Sequence, residues 1–152
     1  MIFTLIYVSD SNISAFGDIA KTELLSVEKR SHQNNSLCDV HGFLLYYQGR
    51  FLQILQGEFD GVISIFGKIK QDTRHRNVRV IWFSNTDEAS FDKWKMLYSM
   101  EYAAENYKKF TVQPSILSQF VPKEGHLTPE AYGLLMSVAT QARDDLGVTN
   151  HS

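Results

Sequence analysis

The chain opens with a run of apolar residues that follows neither a helical nor an alternating period. Residues 2–8 are apolar at almost every position, which is typical of a central strand covered on both faces, and the polar residues 9–12 are predicted to end it. From about Ser14 the apolar positions follow helical spacing, and Asn34 and Asn35 are predicted to close this first helix. The pattern therefore predicts a strand and then a helix.

The middle of the chain predicts two strands, a helix and two more strands. Strongly apolar segments flank Gln48 and Gly49, which favours a β-hairpin that turns at this point. Apolar residues recur at helical spacing from Val62 onwards, which predicts a second helix that stops near Asp72. The strands of this region are predicted over residues 40–47, 50–56, 78–84 and 94–100.

The resulting βαββαββ order predicts an α+β fold. This order is typical of a ferredoxin-like sandwich, in which a mixed five-stranded sheet carries both helices on one face. The 152 residues suit one domain with a small helical extension, which we place at residues 1–104 and residues 105–152. Since the first two helices occupy one face of the sheet, the extension is expected to pack on the other.

The extension contains a clear start signal for a last helix. Thr128 suits an N-cap and Pro129 the first helical position, so that a helix is predicted from there to about Asp145. Its apolar stripe is expected to be buried and comprises Ala131, Leu134, Leu135, Val138, Ala139 and Ala142. A shorter helix is predicted at residues 115–120.

The composition is that of an ordinary globular protein. The hydrophobic fraction is 43% and the charged fraction 21%, and the formal charge of −2 gives no support to binding of nucleic acid or an anionic membrane. Cys38 is the only cysteine, which permits a reducing compartment. The N-terminal residues lack the pattern of a signal peptide, and no apolar stretch approaches a membrane span. These features predict a cytoplasmic protein.

The short motifs of common enzyme classes are missing from the sequence. It contains no serine-hydrolase elbow, zinc-peptidase helix, P-loop or dinucleotide-binding glycine motif, and its five histidines show no metal-ligand spacing. The aromatic residues of the hairpin invite comparison with RNA-binding modules, but the glycine-rich aromatic core of those modules is absent. Neither a metal nor a nucleic acid is expected.

One polar residue interrupts an otherwise apolar strand. Gln53 lies between Leu52 and Ile54 in the predicted third strand, where burial of an unpaired amide costs about 1 to 3 kcal/mol. A polar partner is therefore expected against it. Because a carboxamide carries a donor and an acceptor on one planar group, it can reverse its hydrogen bonds without a change of charge. This chemistry suits a switch.

Several short segments stand in a characteristic order along the first two thirds of the chain. They include Leu5-Ile6-Tyr7-Val8-Ser9, Asn34-Asn35, Phe51-Leu52-Gln53-Ile54-Leu55, Asp72-Thr73-Arg74-His75 and Phe91-Asp92-Lys93-Trp94-Lys95-Met96. Gln53 follows Asn35 by 18 residues and precedes His75 by 22 and Trp94 by 41. In order and spacing this set, which covers roughly residues 1 to 100, resembles the BLUF family of blue-light sensors that use FAD.

The resemblance implies roles for individual side chains. Tyr7 matches the family's photoactive tyrosine and Gln53 its switching glutamine, while Asn35, with Asn34 beside it, matches the amide that fixes the flavin ring. Val27 and Ile69 match two apolar residues that sandwich the ring. The polar residues around the flavin and its ribityl-phosphate side are matched by Lys68, Asp72, Arg74 and His75. Trp94 and Met96 match the pair on the last strand that passes the signal outward.

The resemblance also implies a mechanism and a partner. Blue light would make a noncovalently bound FAD a strong oxidant, and Tyr7 would reduce it transiently while Gln53 rearranges or tautomerises. The product would be a red-shifted state that decays in darkness. Since no output domain is expected to fit in the remaining residues, the chain resembles short members that signal to a separate, unidentified protein. A homo-oligomer is the other partner that the resemblance allows.

Two interpretations from other classes stay open at this point. The first is a small enzyme on the same fold, in which Arg74 and His75 bind an anion and act as a general acid-base pair. The second is a light-insensitive regulatory module that binds a small ligand. Only the photoreceptor predicts a bound oxidised flavin whose absorption shifts under blue light.

Overall fold

The computed structural model describes residues 1–12, 39–47, 50–86, 94–97 and 125–149. It contains the strands β1 (Ile2–Ser11), β2 (His41–Tyr47), β3 (Arg50–Gly57), β4 (His75–Thr86) and β5 (Trp94–Leu97), and the helices α1 (Phe59–Gln71) and α2 (Pro129–Thr149). The predicted first helix, with Val27, Asn34 and Asn35, lies outside the described residues. So does the short helix predicted at residues 115–120.

The described strands form one sheet in the order β4-β1-β3-β2-β5. β1 pairs antiparallel with β3 and β4, and β2 pairs antiparallel with β3 and parallel with β5. β3 is therefore the middle strand and β1 and β2 flank it, which explains why the residues of β1 and β3 are apolar on both faces. The α+β class predicted from the sequence is confirmed.

β1 is longer than predicted, and the expectation that residues 9–12 end it is wrong. Ser9 and Asp10 continue the ladder opposite Phe51 and Arg50 of β3, and the strand reaches Ser11. Polar side chains are tolerated here because they find partners: Asn77 donates to the Asp10 carboxylate at 2.9 Å. β4 is likewise longer than the predicted residues 78–84.

The main core lies between the sheet and α1. Val62 and Ile65 of α1 are buried against Leu5, Tyr7 and Leu55 of the central strands. All three strand residues point to the same side, since alternate residues of a strand share a face. The helix ends at Gln71, as the sequence predicts, and the amide of the next residue, Asp72, donates to the Ile69 carbonyl.

α2 covers the opposite face of the sheet. The Tyr132 ring stacks on Trp82 of β4 at a centroid distance of 4.1 Å and an interplanar angle of 5°. Trp82 pairs with Ile6 of β1, whose side chain points away from the Tyr7 face. The predicted N-cap is confirmed, because the Thr128 hydroxyl accepts a hydrogen bond from the Ala131 amide at 3.1 Å.

The predicted apolar stripe of α2 is wrong at one of the positions whose side chains the structure describes; the side chains of Val138 and Ala142 lie outside the described residues. Leu134 is 51% exposed, whereas Leu135, Met136 and Ala139 are buried. With Tyr132 these residues occupy positions i, i+3, i+4 and i+7, which form one helical face. The helix is thus oriented by an aromatic residue that the apolar pattern did not include. Ala131 is half-buried.

Gly42 in β2 lies where the backbone of β3 comes very close. A Cβ atom at this position would lie 1.8 Å from the Ile54 carbonyl oxygen and 2.8 Å from its carbon. We therefore expect Gly42→Ala to lower the free energy of unfolding by about 3 kcal/mol, because backbone atoms of a central strand cannot move aside. Chemical denaturation monitored by circular dichroism measures this change.

Gly133→Ala is the matched control for this substitution. Nothing lies within 4 Å of a Cβ at Gly133, which is an exposed position in α2. The control should raise the free energy of unfolding by about 0.5 to 1 kcal/mol, since alanine favours a helix interior. Equal stabilities of the two variants would contradict the close approach at Gly42.

Candidate functional site

The centre of the candidate site is a hydrogen bond between the two middle strands. Tyr7 of β1 and Gln53 of β3 are direct cross-strand partners, and their side chains share the face that α1 covers. The Tyr7 hydroxyl donates to Gln53 Oε1 at a distance of 2.6 Å, and both side chains are buried. The polar partner expected for Gln53 is therefore a tyrosine.

The other end of the Gln53 amide has no partner among the described residues. Its Nε2 atom makes no hydrogen bond, and because the residue is only 1% exposed, water does not reach this donor either. Leaving such a donor unpaired costs about 1 to 3 kcal/mol, so buried amides rarely remain in this state. The free donor fits a ligand that presents a carbonyl oxygen or an unprotonated ring nitrogen, and a flavin ring carries both.

Tyr7 is held in its neutral form. Burial raises the pKa of the phenol far above its ordinary value, and the nearby negative charge of Asp72 raises it further. The ring packs beside Phe66 of α1 and His75 of β4, with centroid distances of 5.8 Å and 6.1 Å. The proton therefore stays on the Tyr7 oxygen unless the ring itself loses an electron.

His75 joins β1, α1 and β4 next to this pair. Its Nε2 lies 2.9 Å from the Ile69 carbonyl oxygen, and its Nδ1 lies 3.0 Å from the Ser9 hydroxyl. Because a carbonyl only accepts, Nε2 carries the proton and Nδ1 accepts from Ser9 in the neutral ring. Burial lowers the pKa of His75, although the Ile69 carbonyl and the charge of Asp72 oppose this.

Asp72 and Arg74 form an ion pair at the end of α1. Arg74 Nη2 and Nε donate to the two carboxylate oxygens at 2.8 Å and 3.0 Å, and the Arg74 amide adds a third bond at 3.0 Å. Partial burial raises the pKa of Asp72, but these hydrogen bonds hold it below its ordinary value overall. The turn is also tied to the residue that follows β1, because the Asn12 side-chain amide donates to the Thr73 carbonyl.

The structure brings together most of the described residues of the predicted site. Ile69, Asp72, Arg74 and His75 lie at the end of α1 and the start of β4, on the Tyr7 side of the sheet. Lys68 is exposed on α1. In β5, Trp94 and Met96 lie opposite Gly42 and Leu44 of β2. Val27, Asn34 and Asn35 lie outside the described residues, and so do the side chains of Trp94 and Met96.

Ser9 and Phe51 belong to the site but were not singled out from the sequence. Ser9 bonds His75, and the edge of the Phe51 ring meets the His75 ring at a centroid distance of 5.5 Å. Strand alternation was the available signal. Ser9 lies two residues after Tyr7 and Phe51 two residues before Gln53, so each shares the face of its strand with a site residue. The error in the end of β1 concealed it.

The described part of the chain has neither a metal-binding cluster nor a membrane-spanning helix. No group of three or more histidine, cysteine, aspartate or glutamate side chains there is arranged to hold a metal ion. Among the same residues, no helix combines the length and apolar character needed to cross a bilayer.

Comparison with known proteins identifies the family to which this site belongs. Residues 2–97 match the sequence model of the BLUF family, described as sensors of blue-light using FAD. The photoactivated adenylate cyclase subunit alpha of Euglena gracilis is 32% identical over 87 residues, which are 57% of this chain and 8% of that protein. The chain thus spans a small fraction of the length of this relative.

Solved structures show the same fold. BlrB, a BLUF protein in its dark state, superposes with a TM-score of 0.71 at 18% identity and covers 93% of this chain and 96% of its own. BlsA in a photo-activated state gives a TM-score of 0.69 at 20% identity, with 92% and 95% covered. The match over residues 2–97 covers well over half of the sequence, and the chain belongs to the BLUF family of sensors of blue light using FAD.

Proposed function

We propose that this protein is a blue-light photoreceptor whose switch consists of Tyr7 and Gln53. The observation that carries the proposal is the buried Nε2 of Gln53, which makes no hydrogen bond within the described residues while Oε1 accepts from Tyr7. A buried donor of this kind requires an acceptor. FAD, the cofactor that defines the family, supplies acceptors on its ring.

The described residues proposed to hold FAD lie at the end of α1 and the start of β4, on the same side of the sheet as Gln53. Ile69 is the apolar contact on α1, and Lys68, Asp72, Arg74 and His75 surround the same end of the helix. Val27, Asn34 and Asn35 complete the proposed set by their match to the family. The helix that carries them would join α1 on the flavin face and complete a ferredoxin-like βαββαββ fold, with residues 1–104 as the flavin-binding domain and residues 105–152 as the extension.

The proposed chemistry of the switch uses two neighbouring atoms. When bound, FAD absorbs blue light and becomes a strong oxidant. Loss of one electron makes the Tyr7 phenol strongly acidic, and Gln53 Oε1, 2.6 Å away, is positioned to receive its proton. The protonated amide can then rotate or tautomerise. Return of one electron and one proton to Tyr7 restores a neutral pair in which the amide makes new hydrogen bonds.

The proposed output is protein contact rather than catalysis. Trp94 and Met96 of β5 are the proposed relay from the site, and the recipient would be a separate protein or a second copy of this chain. The match covers only 8% of the Euglena gracilis cyclase subunit alpha, so the named activity of that relative gives no support to a cyclase activity of this chain. The cytoplasmic location remains a prediction from the sequence.

The geometry gives no support to an anion-handling enzyme that uses Arg74 and His75. Arg74 is engaged with both oxygens of Asp72. Both nitrogens of His75 contact protein groups, the Ile69 carbonyl and the Ser9 hydroxyl. Neither side chain presents the free group that substrate binding and proton transfer would need. His75 instead holds the end of α1 to β1, and Arg74 closes the turn between α1 and β4.

The purified protein should be yellow. Blue light should shift its flavin absorption band to longer wavelength, and the shift should reverse in darkness, because the amide of Gln53 changes its hydrogen bonds without a change of charge. Absorption spectra before, during and after illumination measure this. Protein that stays colourless after reconstitution with excess FAD would refute the proposal and favour the light-insensitive module.

Gln53→Leu should retain bound flavin and lose the light-induced shift. Leucine fills a similar volume but can neither donate nor accept a hydrogen bond, so no rearrangement is possible. Tyr7→Phe should also lose the shift, since it removes the hydroxyl that donates to Gln53. Gln71→Leu, at an exposed position at the end of α1, is the matched control and should shift normally. A normal photocycle in either test variant would place the switch elsewhere.

His75 should make the stability depend on pH in the mildly acidic range. Burial lowers the pKa of the folded-state ring below its ordinary value of 6.5, so the unfolded chain takes up the proton first as the pH falls. The stabilisation of the fold by the neutral His75 ring is therefore complete above pH 6.5 and is progressively lost below it. Chemical denaturation from about pH 7.5 to pH 5 gives the free energy of unfolding at each pH. Its slope against pH should be shallower for His75→Gln than for the wild type. Identical slopes would contradict the buried neutral ring.

A further inference from the structure

An exposed aromatic surface lies where α1 begins, at the end of the helix away from His75. Phe59 of α1 and Phe83 of β4 are 47% and 44% exposed, and both rings contact Phe3 of β1, at centroid distances of 5.4 Å and 5.6 Å. Ile63, one turn further along the same side of α1, is 41% exposed. One continuous apolar surface, the Phe83 patch, is therefore formed by Phe3, Phe59, Ile63 and Phe83.

The patch borders the outermost described strand on the β1 side of the sheet, β4. The Leu127 amide donates to the Ile81 carbonyl at 2.8 Å, so this carbonyl points away from β1. Because backbone groups alternate in direction along a strand, those of Phe83 and Asn85 also point outwards, and no hydrogen bond joins them to described residues outside the sheet. Residues 80–86 contain neither a charge nor a proline, two of the features that usually block an edge strand.

The size of the patch matches the apolar part of a protein–protein interface. Met1, which precedes β1, is 71% exposed, and its amino group lies 3.7 Å from the carboxylate of Glu58, so these two charges offset each other beside the patch. Together with Met1 the patch exposes about 400 Å² of side chain. A stable interface covers about 800 Å² on each partner, of which a little over half is apolar. The patch supplies that share.

We propose that β4 pairs antiparallel with β4 of a second copy of this chain, and that the resulting dimer covers the Phe83 patch. Pairing centred on Ser84 places Phe83 opposite Asn85 of the partner subunit, where the outward amides and carbonyls of the two strands meet. A two-fold axis perpendicular to the sheet keeps both α1 helices on the same face, so that the two patches contact each other. The two Phe83 side chains then lie on a diagonal within reach of aromatic rings.

A second copy fits this surface better than a charged partner does. Residues 80–86 are uncharged, so antiparallel pairing of this segment with itself brings no like charges together, and the two patches are equal in size and polarity. The inference is independent of the photochemistry proposed above, because it uses neither the flavin nor the Tyr7–Gln53 pair.

Substitution of Phe83 tests the dimer. Sedimentation of the full chain in darkness, over a range of concentrations, should show a dimer for the wild type. Phe83→Lys should raise the dissociation constant about 100-fold or more, since it removes a central apolar anchor from both subunits and places two like charges near the axis. Leu134→Lys is the matched control, because Leu134 is a large apolar residue on α2 that is 51% exposed, and it should leave the dimer intact. A monomeric wild type, or equal association of Phe83→Lys and the wild type, would overturn the proposal.

A cysteine cross-link tests the pairing of the strands separately from the stability of any Phe83 variant. In a chain whose only cysteine, Cys38, is replaced by serine, Ser84→Cys would bring two thiols directly opposite each other, with Cβ atoms about 5 Å apart and within reach of a disulfide. Ser137→Cys, at an exposed position of α2, is the control. Mild oxidation should form the covalent dimer at least about tenfold faster for Ser84→Cys than for Ser137→Cys, as measured on non-reducing gels. Equal rates would overturn the pairing of β4 with itself.

Discussion

The candidate site depends on one hydrogen bond in the middle of the sheet. The bond from Tyr7 to Gln53 uses the acceptor end of a buried amide and leaves its donor end to be satisfied from outside the described residues. Tyr7 cannot readily give up its proton, because burial and the charge of Asp72 raise its pKa. In the proposed function one ligand, FAD, would both oxidise Tyr7 and accept a hydrogen bond from the free donor of Gln53.

The surrounding structure fixes the geometry of this pair. β1 and β3 are neighbouring interior strands of the sheet, so their side chains have a defined register, and Tyr7 and Gln53 are buried from water. His75 holds the last turn of α1 to β1 with both ring nitrogens, and Asp72 with Arg74 closes the turn that follows. These polar groups thus fix the end of α1 and the turn that follows it, next to Tyr7.

Local sequence patterns predicted the elements of the fold, but not the contacts between them. The extent of α1 and the N-cap at Thr128 follow from helical spacing and capping rules, and the structure confirms both. The end of β1 and the buried face of α2 were predicted wrongly, because both depend on distant partners. Asp10 is kept in the strand by Asn77, and Tyr132 is drawn to the sheet by Trp82. Similarly, Gln53 was identifiable as a polar residue that needed a partner, whereas only the strand register shows that the partner is Tyr7.

The central claim is that the free donor of Gln53 binds the flavin, and the side-chain amide signal of Gln53 reports on this directly. Protein labelled with nitrogen-15 at glutamine can be examined by nuclear magnetic resonance without FAD, with FAD in darkness, and with FAD under blue light. The Gln53 amide signal should move and exchange more slowly with water when FAD binds, and should move again under light. A Gln53 signal that FAD leaves unchanged would contradict the account.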